Sequence, residues 1–166
     1  MTFNKISKKG FTLMELLVTV ILVAILATYA VYYYTDIMRE GEVNAAKGKL
    51  AALGGAVARY VLEKGTITLQ NEVTIGETNL TTLSTCNPAA TEDIDKVLNV
   101  FRCGYAEKSL GIDDHFKFVF SPGRPCGSDL DVTTVYMEPQ ESEHSDIYPE
   151  CAYFDPDLDK VIVVGA

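Results

Sequence analysis

Residues 8–34 read "KKGFTLMELLVTVILVAILATYAVYYY", and the reading of this stretch decides the fold. Leu16 to Thr35 carries no charge and is long enough to cross a hydrocarbon core of about 30 Å as an α-helix. Lys5, Lys8 and Lys9 precede it, and Asp36, Arg39 and Glu40 follow. Positive charge stays on the cytoplasmic side, so the N-terminus is expected in the cytoplasm and the remainder outside. Tyr29, Tyr32, Tyr33 and Tyr34 gather toward the far end, where aromatic rings favour the membrane interface. Glu15 breaks the pattern. It lies at the edge of the apolar run, five residues after Gly10, where lipid penalises a carboxylate.

The chain has 166 residues, room for one domain and a membrane segment. Its charge is uneven. The first ten residues hold three lysines and no acid, leaving 11 basic against 23 acidic residues and a net charge of −12 beyond them. A body this acidic repels the phosphate backbone, so direct nucleic-acid binding is not expected. Cys86, Cys103, Cys126 and Cys151 all lie in the C-terminal half, and no pair has CxxC spacing. Zinc-knuckle and thioredoxin-like motifs are thereby disfavoured. An even count beyond a membrane span points to disulfides in an oxidising compartment, with four free cytoplasmic thiols as the alternative. Four cysteines allow three connectivities. Pairing neighbours, Cys86 with Cys103 and Cys126 with Cys151, closes the shortest loops and is the expected one.

A secretory signal would place a small-residue cleavage site after its apolar part. Ala27 to Ala30, "ATYA", matches that weakly, but the apolar run is too long and the sequence after it still reads as helix. A cut before the run, between Gly10 and Phe11, would remove only the basic leader and keep the helix. In this respect Lys8-Lys9-Gly10-Phe11-Thr12-Leu13-Met14-Glu15-Leu16-Leu17 resembles the type IV pilin superfamily, which includes the pseudopilins of type II secretion and competence systems. The resemblance is specific for about the first 30 residues and architectural beyond them. It implies that Gly10 ends a leader removed by a prepilin peptidase. Phe11 becomes an N-methylated N-terminus, and Glu15 serves methylation and assembly.

Physical chemistry agrees with those roles. A carboxylate at membrane depth costs about 3 kcal/mol even on lenient insertion scales, so it needs a partner. Cleavage creates an ammonium group on Phe11 at similar depth. If subunits stack with a small axial shift, Glu15 of one meets the Phe11 amine of the next, and two costly charges become a pair that sets register. The alternative is a signal anchor whose acid snorkels to the interface.

Beyond the span, Val43, Ala46, Leu50, Leu53, Val57 and Tyr60 recur at three- and four-residue steps, which gives one apolar helix face. Gly65 after Lys64 reads as a C-terminal cap. No proline occurs before Pro88, so one helix from Phe11 to about Lys64, roughly 80 Å long, is predicted. A coiled-coil stalk is the weaker option, because Gly41, Gly48, Gly54 and Gly55 suit heptads poorly. Many pilins carry a helix-kinking proline where this chain has Tyr32. Gly41 and Gly48 are alternative weak points, each costing about 1 kcal/mol of helix stability.

From Gly65 onward the pattern turns to period two. Thr66–Ile75 reads as a strand or an extended loop edge, and Asp95–Tyr105 is mixed and can open as a helical turn. Phe116, Phe118 and Phe120 alternate on one strand face, Asp131–Glu138 and Lys160–Val164 read as strands, and "SPGRPCGSD" between them reads as a turn. The predicted class is α+β: a long N-terminal helix packed on a small antiparallel sheet of three to five strands. The expected divisions are a leader at 1–10, a transmembrane and assembly helix at 11–35, an amphipathic continuation at 36–64, and a head at 65–166. The head would hold a long connecting loop from Gly65 to about Leu110, and a disulfide-bounded loop from Cys126 to Cys151.

Other candidate sites are weaker. "DPDLD" sets Asp155, Asp157 and Asp159 at alternate positions, and hard cations want several oxygens. The stretch is thus a candidate calcium site, weighed against a solvated turn built by Asp and Pro. "ESEHSD", Glu141–Asp146, reads as a solvated loop, and His115 as solvent-facing. Asn79-Leu80-Thr81 matches a glycosylation acceptor of a kind common by chance. There is no Gly-x-Ser-x-Gly, no phosphate loop and no nucleophile–base pair at a known spacing, so neither catalysis nor a cofactor is expected.

The leading expectation is a structural subunit in the inner membrane that enters an extracellular or periplasmic fibre. Its partners would be copies of itself, minor pilins, the prepilin peptidase and an assembly platform. The runner-up is an anchored extracytoplasmic binding domain that never polymerises, and an anchored hydrolase comes third. Glu15 argues against the minor tip pseudopilin, which usually lacks that acid.

Overall fold

The computed structural model describes residues 11–83, 85–128, 133–140 and 151–164. The leader with Gly10, the "ESEHSD" stretch and the first two residues of the Asp131–Glu138 strand prediction lie outside the described residues. The chain divides into two units, 1–40 and 41–166. Helix α1, Leu13–Lys64, contributes to both.

In the first unit α1 buries none of its side chains. Leu26 is 68% exposed and Tyr29 72%, in the one helix among the described residues with the length and composition to cross a membrane. Three threonine hydroxyls on this stretch are satisfied by the helix itself. The hydroxyls of Thr19, Thr28 and Thr35 donate to the carbonyls of Leu16, Ala24 and Tyr32 at 2.8–2.9 Å. No proline interrupts the hydrogen-bond ladder, and α1 runs through Tyr32, Gly41 and Gly48 to Lys64. Gly65 caps it with φ +100° and an N–H donated to the Val61 carbonyl at 3.0 Å.

In the second unit the remaining turns of α1 present the predicted stripe. Val43, Ala46, Leu50, Leu53, Val57 and Tyr60 are all buried. They pack with an antiparallel sheet of order β1-β2-β3-β4-β5: Val73–Thr74, Phe116–Ser121, Thr134–Pro139, Ala152–Asp155 and Lys160–Val163. Alternation puts Phe116, Phe118 and Phe120 of β2 into the core beside Val135, Met137 and Phe154. The opposite face carries a cross-strand row. Val119 pairs with Tyr136, Tyr136 with Tyr153, and Tyr153 with Ile162, and these side chains form a second, smaller cluster. Burial, with Glu138 and Glu72 nearby, pushes the Tyr136 phenol above the usual tyrosine range.

The segment between α1 and β2 is more structured than a connecting loop. It holds β1, helix α2 (Glu77–Thr81), helix α3 (Asp93–Arg102) and a 3₁₀ turn at Lys108–Gly111. Thr66–Ile75 keeps its alternation, with Ile67, Leu69, Val73 and Ile75 buried, but only Val73 and Thr74 join the sheet. Asp95–Tyr105 lies largely in a ten-residue amphipathic helix rather than a single turn. Asp93 at its start accepts N–H bonds from Gln70 and Asn71 at 2.9 and 3.0 Å and pairs with Lys96 at 3.0 Å. The Lys96 bond first, then those two N–H groups, holds the Asp93 carboxyl below the usual carboxylate range.

Ties between α1 and the sheet are polar as well as apolar. Lys49 Nζ donates to the Ile112 carbonyl at 2.7 Å and to Asp113 Oδ2 at 2.9 Å, while Asp113 Oδ1 accepts the N–H groups of His115 and Phe116. Farther along, Tyr105 stacks edge-on against Tyr60 and donates its hydroxyl to Glu63, which pushes the Tyr105 phenol up. The cysteines pair as Cys86–Cys103 and Cys126–Cys151, closing the shorter loops. In the chain-entropy model each bridge contributes about 3 kcal/mol. The turn "SPGRPCGSD" is built around a 3₁₀ turn at Pro125–Gly127, with Arg124, Cys126 and Gly127 at positive φ.

Two glycines of α1 should respond oppositely to alanine. A Cβ on Gly54 would overlap the Phe154 ring, whereas one on Gly48 meets nothing within 4 Å. Denaturant unfolding should show Gly54→Ala destabilised by about 2 kcal/mol through overpacking, and Gly48→Ala stabilised by up to about 1 kcal/mol. Asp93 gives a pH prediction. A lowered carboxyl adds stability above the ordinary carboxylate range, and that stability is lost as pH falls through the folded-state value. Asp93→Asn should therefore be less stable than wild type at neutral pH, with the difference closing in acid when unfolding is followed across a pH series.

Candidate functional site

The site begins where α1 begins. Thr12 precedes the first helical residue; its Oγ1 accepts the Glu15 N–H at 3.3 Å and its carbonyl accepts the Leu16 N–H at 3.2 Å. Thr12-Leu13-Met14-Glu15 has the spelling of a capping box, with Glu at the third helical position, so the helix starts within two residues of Phe11. An acid in the first turn also complements the helix dipole. Phe11 is 74% exposed and Glu15 is exposed. Among the described residues no hydrogen bond or ion pair reaches the Glu15 carboxylate. It differs in this from Thr19, Thr28 and Thr35, which satisfy their hydroxyls within the helix. A carboxylate on an otherwise apolar helical surface is costly in lipid without a partner.

His115 does not simply face solvent: it is half-buried, with Nε2 3.7 Å from Glu42 Oε1 of α1. The polar cleft beside it, about 380 Å³, is lined by Glu77, Asp113, Asp114, His115, Lys117 and Gln140. Two of its charges are already committed, Asp113 to Lys49 and Lys117 to Glu138 at 2.9 Å. Sequence reasoning missed Lys49 as a tie between helix and sheet, because the partner Asp113 lies 64 residues away.

The weaker calcium candidate, Asp155, Asp157 and Asp159, lies in a turn where Asp155 has a local role. Asp155 is the buried last residue of β4, and its Oδ1 accepts the N–H groups of Asp157 at 2.9 Å and Leu158 at 3.1 Å. Its carboxylate therefore closes the β4–β5 hairpin, and Asp159 turns the chain with φ +48°. Among the described residues no group of three or more His, Cys, Asp or Glu is placed to hold a metal ion. Asn79 is likewise employed locally: its Oδ1 accepts the Gly76 N–H at 3.1 Å at the start of α2.

Comparison with known proteins bears on the N-terminal segment first. Residues 5–31 match the family model of the prokaryotic N-terminal methylation motif. The chain is also 28% identical over 105 residues to the type IV major alpha-pilin of Moraxella bovis. The chain is type IV pilin-like. The alignment covers 63% of the chain and 65% of the Moraxella protein, so the chain spans less than two thirds of that relative's length. No solved structure matches it. The pilin-like reading agrees with a long apolar N-terminal helix and a five-stranded antiparallel sheet.

If Asp155 serves the hairpin and not a cation, Asp155→Ala should cost about 1 kcal/mol for the two lost turn bonds. Millimolar calcium should leave the thermal midpoint of the wild-type chain unchanged. A calcium-dependent rise in that midpoint, absent in Asp155→Ala, would instead establish a cation site.

Proposed function

We propose that the chain is a structural subunit of a type IV pilus or pseudopilus. A prepilin peptidase cuts between Gly10 and Phe11 and methylates the new Phe11 amine. The mature chain resides in the inner membrane through residues 11–35, with the preceding leader in the cytoplasm and the head outside. It then polymerises with copies of itself and minor pilins on an assembly platform, giving an extracellular or periplasmic helical fibre. The chain acts as a building unit and not as an enzyme. A head-to-tail interface whose rotation does not close produces such a fibre.

The observation that carries this reading is the Glu15 carboxylate, which has no partner among the described residues on a helix start whose apolar side chains are exposed. The methylation-motif match over residues 5–31 supports it. The Phe11 amine of a neighbouring subunit has the charge and the depth to complete the pair. Leaving either charge unmatched costs about 3 kcal/mol, a factor of about 100 in the equilibrium between membrane pool and fibre.

Intact mass and N-terminal sequencing of protein from native membranes should give a chain that starts at Phe11 with one added methyl group. Glu15→Leu should still be cleaved but should lose methylation and at least about 90% of recovered fibre, as the 100-fold penalty implies. Wild-type fibre yield from Glu15→Leu, or a chain that keeps its leader in the presence of the peptidase, would instead favour an anchored extracytoplasmic domain that does not polymerise.

A further inference from the structure

We propose that Cys86 is a thiol-exchange site on the head, at which a low-molecular-weight thiol such as glutathione forms a mixed disulfide while the surrounding loop stays docked. Cys86 is exposed, whereas Cys103 is half-buried and packs against the main core. In the other bridge, Cys126 and Cys151 are both half-buried against the outer-face cluster of Val119, Tyr136 and Tyr153. Exchange goes to the sulfur an incoming thiolate can reach, so Cys86 is the sulfur attacked.

The second observation is a fastener beside the bridge. Asn99, 1% exposed on α3, accepts the Asn87 N–H on Oδ1 at 3.1 Å and donates Nδ2–H to the Asn87 carbonyl at 2.6 Å. One buried amide thus holds both backbone groups of the residue next to Cys86. The Cys103 N–H donates to the Asn99 carbonyl at 2.9 Å, so the same residue also organises the far side of the bridge. Opening the disulfide therefore leaves the loop held, because breaking the Asn99 bonds would strand a buried amide.

The exchange balances without an outside oxidant. The thiolate sulfur attacks Cys86 Sγ, the new S–S bond forms as the Cys86–Cys103 bond breaks, and the electron pair leaves on Cys103, whose thiolate takes a proton from water. Cys103 is the C-cap of α3. Reclosure follows by mass action when the small thiol is withdrawn: the Cys103 thiolate attacks Cys86 Sγ and expels the small thiol.

The test uses the full chain in detergent micelles. It is treated with limiting reduced glutathione, quenched with N-ethylmaleimide and mapped by peptide mass. The expected result is glutathione on Cys86 and maleimide on Cys103, about tenfold or more over the reverse arrangement, with Cys126–Cys151 intact. Removing glutathione before the quench should restore the closed mass. A predominant adduct on Cys103, earlier opening of Cys126–Cys151, absence of any adduct, or failure to reclose would each overturn the proposal. Hydrogen exchange in a Cys86→Ser/Cys103→Ser double variant tests the fastener separately. The Asn87 amide should keep its protection, and its loss would show that the disulfide alone holds the loop.

Discussion

The head depends on one close approach, that of Phe154 to the helix at Gly54. The ring of Phe154 occupies the volume where any other residue would carry its Cβ. That lets β4 lie against α1, and β4 links β3 to β5 in the sheet. Gly54 is thus a space requirement set by a residue 100 positions away, and its cost to helix propensity is offset by ring burial. The three phenylalanines of β2 complete the same layer, against a helix face that is mainly small or aliphatic up to Tyr60. Interiors packed to crystal density tolerate such large-against-small pairing and little deviation from it.

Around this core the polar ties share a logic. Lys49 with Asp113, Asp93 with Lys96 and the Gln70–Asn71 amides, and Asn99 with Asn87 each join segments distant in sequence through backbone groups as well as side chains. The two disulfides act on the same regions, the segment ahead of α3 and the turn after β2. The irregular parts of the head are therefore held by specific bonds where apolar burial alone is insufficient. The N-terminal helix obeys a different rule. Its threonines close their hydrogen bonds internally, and Glu15 alone in that surface keeps an unmet electrostatic demand among the described residues. This is the contrast on which the assembly reading rests.

The candidate segment was legible at once, because its signal is local: lysines, a glycine, an aromatic residue and an acid at short fixed offsets before an apolar run. The buried stripe from Val43 to Tyr60 was legible for the same reason, since helical period is a property of neighbours. Strand β2 showed through its alternation, β3 and β5 through their runs of β-branched residues, and Gly65 through its place after the last helical turn. The β4 strand was missed. "AYFD" is four residues long and buried throughout, so it has no alternation to read. Helices α2 and α3 were underestimated because they are short and their apolar positions pack on partners far along the chain. "DPDLD" was ambiguous in sequence, since carboxylates at alternate positions suit a cation or a turn, and only the hairpin geometry shows that Asp155 accepts the Asp157 and Leu158 N–H groups.

By itself the sequence determined the long helix, its apolar and amphipathic halves, the α+β class and the acid that demands a partner. All of these follow from periodicity, charge and the cost of burying a charge, which act over a few residues. Tertiary structure decided which glycine is indispensable, which lysine anchors the sheet, that Asp155 is a turn acceptor, and that an amide stands behind the exposed sulfur of Cys86. These depend on atoms brought together across tens of residues by packing, and no local pattern encodes which neighbours a side chain will meet.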